Sequence, residues 1–167
     1  LLNDNYRFSC KIYGDYNFPN IASAISIGRF LDLDSDQIQT GLTKFQTEEN
    51  RSEVLQYKGN IIYLDAYNAN PSSMIAAIDN FNKEIKDNKI LILGDMLELG
   101  NLSKDEHKKI INHLYEIDFE AVYLVGETFS SINITDSRFK KFNDTKELIN
   151  GIDLTKINNK SILIKGS

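Results

Sequence analysis

Cysteine is nearly absent: Cys10 is the only one in 167 residues. A lone thiol cannot close an internal disulfide. With no Cys or His cluster beside it, the expectation is a buried thiol in a reducing compartment. Basic clustering is missing too. Nineteen Lys and Arg stand against 24 Asp and Glu, a formal net charge of −5. No Arg-rich segment or basic stripe gathers the cations that a nucleic-acid backbone requires, so nucleic acid is excluded as a partner. No apolar run approaches the roughly 18 residues that span a bilayer. Leu1-Leu2-Asn3-Asp4 has neither the basic start nor the apolar stretch of a secretion signal, so a soluble, cytoplasmic protein with no membrane partner is expected. Repeats and low-complexity tracts are absent, and so is the Gly-x-x-x-x-Gly-Lys-Ser/Thr loop that cradles phosphates. The chain opens without Met and stops in Gly166-Ser167, just past an apolar run where a loop is due, so a piece of a longer protein is expected.

What is present changes character near residue 46. After a short strand-like lead, Ile21, Ala24, Ile25, Gly28 and Leu31 follow one helical face, and Ile38, Leu42 and Phe45 repeat at i, i+4 and i+7. Asp34 with Gln37 forms an N-terminal capping pair for the second helix. Two such helices cannot enclose a core alone, so they are expected to pack on something else. Gln46-Thr47-Glu48-Glu49-Asn50 is polar and aperiodic, which sets a boundary between segments 1–46 and 47–167.

From Arg51 onward short apolar runs recur at Ile61 to Leu64, Ile90 to Leu93, Ala121 to Val125 and Ile162 to Ile164. Helical stripes lie between the first three. One is Met74, Ile78, Phe81 and Ile85; the other is Ile110, Leu114 and Ile117, opened by Ser103 and Glu106 as a capping box. Apolar strands alternating with helices predict an α/β, doubly wound, mostly parallel sheet with helices on both faces. Glu53 to Tyr57 is expected to pair with Ile61 to Leu64 as a hairpin through Lys58-Gly59-Asn60.

Ligands of open parallel sheets bind beyond the carboxyl ends of the strands. Four polar or glycine-bearing segments stand there: Asp65 to Asn70, Gly94 to Gly100, Gly126-Glu127 and Lys165 to Ser167. In the first, Asn70 is typed as a helix N-cap and Pro71 as the first helical residue. That reading leaves Asp65, Tyr67 and Asn68 unexplained. A strand-end carboxylate can accept hydrogen bonds from a ribose, and amides beside a helix N-terminus suit a polar or anionic substrate. Three other patterns carry no site. Asp32-Leu33-Asp34-Ser35-Asp36 lacks the Gly and the final Glu of a calcium loop, with Gln37 and Thr43 at those positions. His107 and His113 fall on different faces of one helix and read as surface residues. The glycosylation-like triplets at Asn101, Asn133, Asn143 and Asn159 mean nothing without a secretion signal.

Asp65-Ala66-Tyr67-Asn68-Ala69-Asn70-Pro71, followed by Ile90-Leu91-Ile92-Leu93-Gly94-Asp95-Met96-Leu97-Glu98-Leu99-Gly100, resembles the Mur ligase family. The likeness is greatest to the branch that adds D-Ala-D-Ala to UDP-N-acetylmuramoyl-tripeptide in peptidoglycan synthesis. Lys165-Gly166-Ser167 is similar to the start of a further family motif. Gly14-Asp15-Tyr16-Asn17-Phe18-Pro19-Asn20 is similar to the family's Gly-x-His-Asn-x-x-Asn, with Tyr16 in the place of His. The resemblance implies that 1–46 ends a central ATPase domain and that 47–167 is most of a C-terminal Rossmann-like domain. It implies ATP contacts from Asn17 and Asn20 at the adenine, Arg51 at the phosphates and Asp65 at the ribose. Tyr67, Asn68 and Asn70 would lie near the reacting carboxylate and the incoming dipeptide, Ser167 would bind substrate beside them, and Lys165 and Glu98 are weaker candidates. The phosphate loop and the Mg²⁺ ligands are expected upstream, so no catalytic or metal residue is assigned here, the segment alone is expected to be inactive, and the intact enzyme is expected to be a monomer. Two rivals remain at this stage. One is a sister ligase acting on another amino acid or on folate. The other is a receiver-like signalling domain using Asp95 and Lys165, which the absence of an adjacent acid pair at any strand end argues against.

Overall fold

The computed structural model describes residues 6–45 and 50–167. Gln46 to Glu49, and with them the boundary after residue 46, lie outside the described residues. The first part carries α1 (Phe18–Phe30) and α2 (Ser35–Lys44); residues 6–14, expected to include a strand, form none. Asp34 and Gln37 cap α2 reciprocally, side chain to backbone in both directions, as the sequence predicts. The two helices meet where Gly28 lies against Ile38. The predicted α1 stripe is only partly covered: Ala24 and Leu31 are exposed, Ile21 and Ile25 are half-buried, and Gly28 is its only fully buried member.

The second part is built from β1 (Glu53–Tyr57), β2 (Asn60–Asp65), α3 (Pro71–Glu84), β3 (Lys89–Gly94), α4 (Ser103–Tyr115), β4 (Ala121–Val125), α5 (Glu127–Ser130), β5 (Phe139–Phe142), α6 (Thr145–Gly151) and β6 (Ser161–Lys165). One six-stranded sheet runs in the order β1-β2-β6-β3-β4-β5. Only the β1 edge is antiparallel, joined to β2 by the two-residue turn Lys58-Gly59 with Tyr57 opposite Asn60. Both turn residues have positive φ, as a tight hairpin of the right twist demands. The other four pairings are parallel.

Strand alternation sorts the core into two layers. Leu91, Leu93 and Leu163 face a layer with Met74, Ala77, Ile78 and Phe81 of α3 and Ile110 and Leu114 of α4. Ile90 and Ile162, their sequence neighbours, face the opposite layer with Leu148 and Ile152. Chain direction explains the split. The crossovers from β2 through β5 progress one way across the sheet, whereas α6 returns the chain to slot β6 between β2 and β3. Right-handed crossovers in opposite directions put their helices on opposite faces. The doubly wound reading holds.

Three local expectations are corrected. Ser103 and Glu106 do not cap α4: its N-cap position is Leu102, without a side-chain cap, because a 3-10 turn at Gly100–Leu102 runs straight into the helix. His107 is not a surface residue but fully buried. His113, the other histidine, is at the surface as expected, its side chain 30% exposed and 2.6 Å from Asp79 Oδ1. Cys10 is half-buried rather than buried.

Candidate functional site at the carboxyl ends of β2, β6 and β3

Because β2 and β6 are parallel neighbours, Asp65 and Lys165 are partners at their last rungs. Side chains at directly paired positions point to the same face, so the two meet. Lys165 Nζ donates to Asp65 Oδ2 at 2.7 Å, and the lysine side chain is only 2% exposed. A buried ammonium persists only with partners. Here the carboxylate supplies the main one, with the main-chain oxygens of Asp65 and Asn68 at 3.4 Å.

Three further donors converge on the same carboxylate. The backbone N–H and hydroxyl of Ser52 donate to Oδ1 at 3.3 and 3.4 Å. The Tyr16 hydroxyl donates to Oδ2 at 3.3 Å and lies 3.4 Å from Ser52 Oγ. Burial pushes the Tyr16 phenol up to about 12, so it is a protonated donor at neutral pH. Its ring sits where Gly14 would carry a Cβ, and Gly14 has φ +95, so glycine is needed there on both counts. Asn17 joins the cluster by donating from Nδ2 to Tyr13 O at 2.8 Å and Ser52 Oγ at 3.1 Å. Although Asn17 occupies the N-cap position of α1, its side chain makes no cap bond. Asn20 is exposed and donates to Asn17 Oδ1 at 3.3 Å.

A second cluster forms one step along. Ser167 Oγ accepts from Ala69 N–H at 2.9 Å and donates to Asn68 Oδ1 at 3.0 Å, tying the tail of β6 to the loop after β2. This approach depends on Gly94 and Gly166: a Cβ on Gly166 would lie 2.8 Å from the Gly94 Cα. Asn70 caps α3 as the sequence predicts. Its Oδ1 accepts from Ser73 N–H at 2.9 Å and from the Ser72 hydroxyl at 2.8 Å, and Ser73 bonds back to the Asn70 N–H. Arg51 and Tyr67 are both exposed and stacked, with the guanidinium carbon 3.3 Å from the ring centroid. The structure thus joins Asn17, Asn20, Asp65 and Lys165 in one network and Asn68 with Ser167 in another. Arg51 and Tyr67 form a separate pair, and Asn70's oxygen is committed to the helix. Glu98 has φ +63 in the loop after β3.

Sequence reasoning missed Ser52 and the Asp95–His107 pair. Asp95 follows β3 and accepts from the N–H groups of Thr128 and Phe129 at 2.8 and 3.0 Å. His107 Nε2 lies 3.4 Å from Asp95 Oδ1. Burial pushes the Asp95 carboxyl up, but the N–H donors of Thr128 and Phe129 outweigh it and hold the group below its ordinary range. His107 also accepts from Met96 N–H at 3.0 Å, and its Nδ1 donates to Ser103 O at 2.7 Å. The aspartate therefore clasps β3 to the start of α5, and its oxygens are engaged. A signal for His107 was present: it precedes Ile110, Ile111 and Leu114 by three, four and seven positions, on the buried stripe of α4.

Comparison with known proteins identifies the architecture. Residues 50–167 match the model described as Mur ligase, glutamate ligase domain. The UDP-N-acetylmuramoyl-tripeptide–D-alanyl-D-alanine ligase of Buchnera aphidicola subsp. Baizongia pistaciae is 31% identical over 168 residues, covering 99% of this chain and 36% of the relative. A crystal structure of MurF from Acinetobacter baumannii superposes with a TM-score of 0.79 at 29% identity, covering 96% of this chain and 36% of that one. MurF from Thermotoga maritima, solved in complex with ADP, shares the fold with a TM-score of 0.71 at 23% identity over 93% of this chain and 36% of its own. The chain spans about a third of the length of the curated relatives it matches. With its family domain matched across most of its length, the chain belongs to the Mur ligase family.

Proposed function

We propose that this chain is part of a cytoplasmic, monomeric, ATP-dependent carboxylate–amine ligase that joins D-Ala-D-Ala to UDP-N-acetylmuramoyl-tripeptide in peptidoglycan synthesis. In this reading residues 1–46 end a central ATP-binding domain and 47–167 form most of the C-terminal Rossmann-like domain. The observation that carries it is the meeting of Asp65 and Lys165 with Asn17 and Ser52 at the strand ends, where a nucleotide ligand of such a sheet binds. The substrate follows the relatives, whose names state that activity.

The reaction transfers the γ-phosphoryl group of ATP to a carboxylate oxygen of the tripeptide, giving an acyl phosphate and ADP. The amine of D-Ala-D-Ala then attacks the acyl carbon. The bond to phosphate breaks, a proton leaves the nitrogen, and amide and inorganic phosphate result. In this scheme Asp65 accepts from the ribose hydroxyls, Asn17 and Asn20 face the adenine, and Arg51 leaves the Tyr67 ring to meet the phosphates. Tyr67, Asn68, Asn70, Lys165 and Ser167 border the acceptor carboxylate and the dipeptide. Mg²⁺ would neutralise charge on the transferring phosphoryl group. No three His, Cys, Asp or Glu side chains among the described residues gather to hold a metal, so no step is assigned to the ion on this chain. Without a phosphate loop, residues 1–167 alone are inactive.

The test is phosphate release by the full-length enzyme with ATP, Mg²⁺ and the nucleotide-tripeptide, with and without D-Ala-D-Ala, beside an Asp65→Ala control. Release that requires the dipeptide and weakens in the control is expected. Release indifferent to D-Ala-D-Ala but responsive to another amino acid, or to a folate substrate, would overturn the substrate. No release with any amine would overturn the reaction.

A further inference from the structure

Asp65 is saturated from within the chain. A carboxylate offers about four acceptor sites, and here four donors use them: Lys165 and Tyr16 at Oδ2, and the Ser52 N–H and hydroxyl at Oδ1. A ribose cannot reach this carboxylate until a donor withdraws. Lys165 cannot be that donor, because it is buried and its bond is the short one, at 2.7 Å. Nor can the Ser52 N–H readily move, being backbone next to β1. The Ser52 hydroxyl, at 3.4 Å, is held at Oδ1 by its own backbone, which leaves the Tyr16 hydroxyl as the candidate: its bond is long, at 3.3 Å, and it can turn its single proton to Ser52 Oγ, 3.4 Å away. Tyr16 belongs to a segment distant in sequence, held on the sheet by packing of Tyr13 and Tyr16 against the core and by polar contacts of Asn17 to Ser52, of the Asp15 N–H to Asn80 Oδ1, and of the exposed Lys83–Asp15 pair, so its ring stays placed when the one hydrogen bond to Asp65 is lost.

We propose that Tyr16 is a displaceable self-ligand of Asp65, occupying the acceptor site that a ribose hydroxyl takes, so that nucleotide binding competes with the Tyr16–Asp65 hydrogen bond while Asn17 and Asn20 stay in place to face the adenine. This rests on Asp65 being the ribose carboxylate. By linkage, whatever free energy the Tyr16 contact gives to docking is subtracted from nucleotide affinity. Tyr16 thereby sets the affinity as a positioning residue, acting through Asp65.

The experiment is calorimetric titration of the full-length enzyme with ATP and with 2′,3′-dideoxy-ATP, in wild type, Tyr16→Phe and Asp65→Asn, with acceptor omitted. Tyr16→Phe keeps the ring over Gly14 and removes one hydrogen bond, so ATP should bind roughly fivefold tighter. The dideoxy analogue should bind both proteins alike. Asp65→Asn should weaken ATP about tenfold or more. If Asp65→Asn weakens ATP but Tyr16→Phe leaves it unchanged or also weakens it, the self-ligand is refuted and the ribose role of Asp65 stands. A gain with the dideoxy analogue equal to that with ATP also refutes it, since the effect would not pass through the ribose. If Asp65→Asn leaves ATP binding unchanged, the ribose role falls and the self-ligand falls with it.

Discussion

Replacing Asp65 by Ala should destabilise the fold before it does anything to chemistry. The Lys165 side chain is 2% exposed, and its short contact is the Asp65 carboxylate at 2.7 Å. Truncation would leave a buried ammonium with two carbonyl oxygens at 3.4 Å. Removing one partner of a buried pair costs about 3–5 kcal/mol, and the surviving carbonyls put the expected loss near the lower end, about 3 kcal/mol. The converse change, Lys165→Met, leaves a carboxylate that still has Ser52, Tyr16 and some solvent, so it should cost less, about 1–2 kcal/mol. The double variant should then be more stable than Asp65→Ala alone, because the orphaned charge is gone. Urea unfolding midpoints at constant slope measure all three. An Asp65→Ala loss under about 1 kcal/mol, or a double variant less stable than Asp65→Ala, would refute the view that Lys165 depends on this carboxylate. The same data separate folding from function in any activity loss at Asp65.

Most of the sheet was legible because its strands are continuous apolar runs bounded by polar loops, and Ile90–Leu93 and Ile162–Ile164 pack on both faces as such runs must. β5 was not legible. Phe139-Lys140-Lys141-Phe142 has two exposed lysines between its aromatics, and the two Phe residues serve opposite layers. An edge strand with so little apolar content carries no periodic signal. α1 differs: its stripe is real in sequence but only partly covered among the described residues, so periodicity located a helix without locating its full burial.

The site divided along the same line. Asp65, Asn70 and Lys165 stand at strand or helix ends, where position in the chain already says what each can reach. Ser52 and Tyr16 are brought to Asp65 from 13 and 49 residues away, and no local pattern predicts such convergence. Where this chain has Tyr in a position that is usually His in the resembling motif, only the fold shows what the substitution touches.

Two predictions concern groups whose work is structural in the first instance. Asp95 is held below the ordinary carboxylate range when folded, whereas its unfolded value is about 3.9. Its contribution is therefore present above that pH and lost as pH falls through the folded value, so Asp95→Asn should flatten the acid limb of a melting-temperature profile taken from pH 7 to 2; an unchanged limb would refute the clasp. Asn70 poses the sharper question, since the residue that the motif proposes for substrate also forms the reciprocal helix cap of α3. Asn70→Ala should cost about 1 kcal/mol of stability through the lost Ser73 N–H bond. Asn70→Ser restores a capping oxygen on a shorter side chain without an amide, so stability should return to within a few tenths of a kcal/mol. If the amide also meets substrate, ligase turnover in the Ser variant stays depressed although its melting temperature recovers. If turnover recovers with stability, Asn70 serves the helix alone, and the anionic end of the substrate is left to Asn68, Ser167 and Lys165.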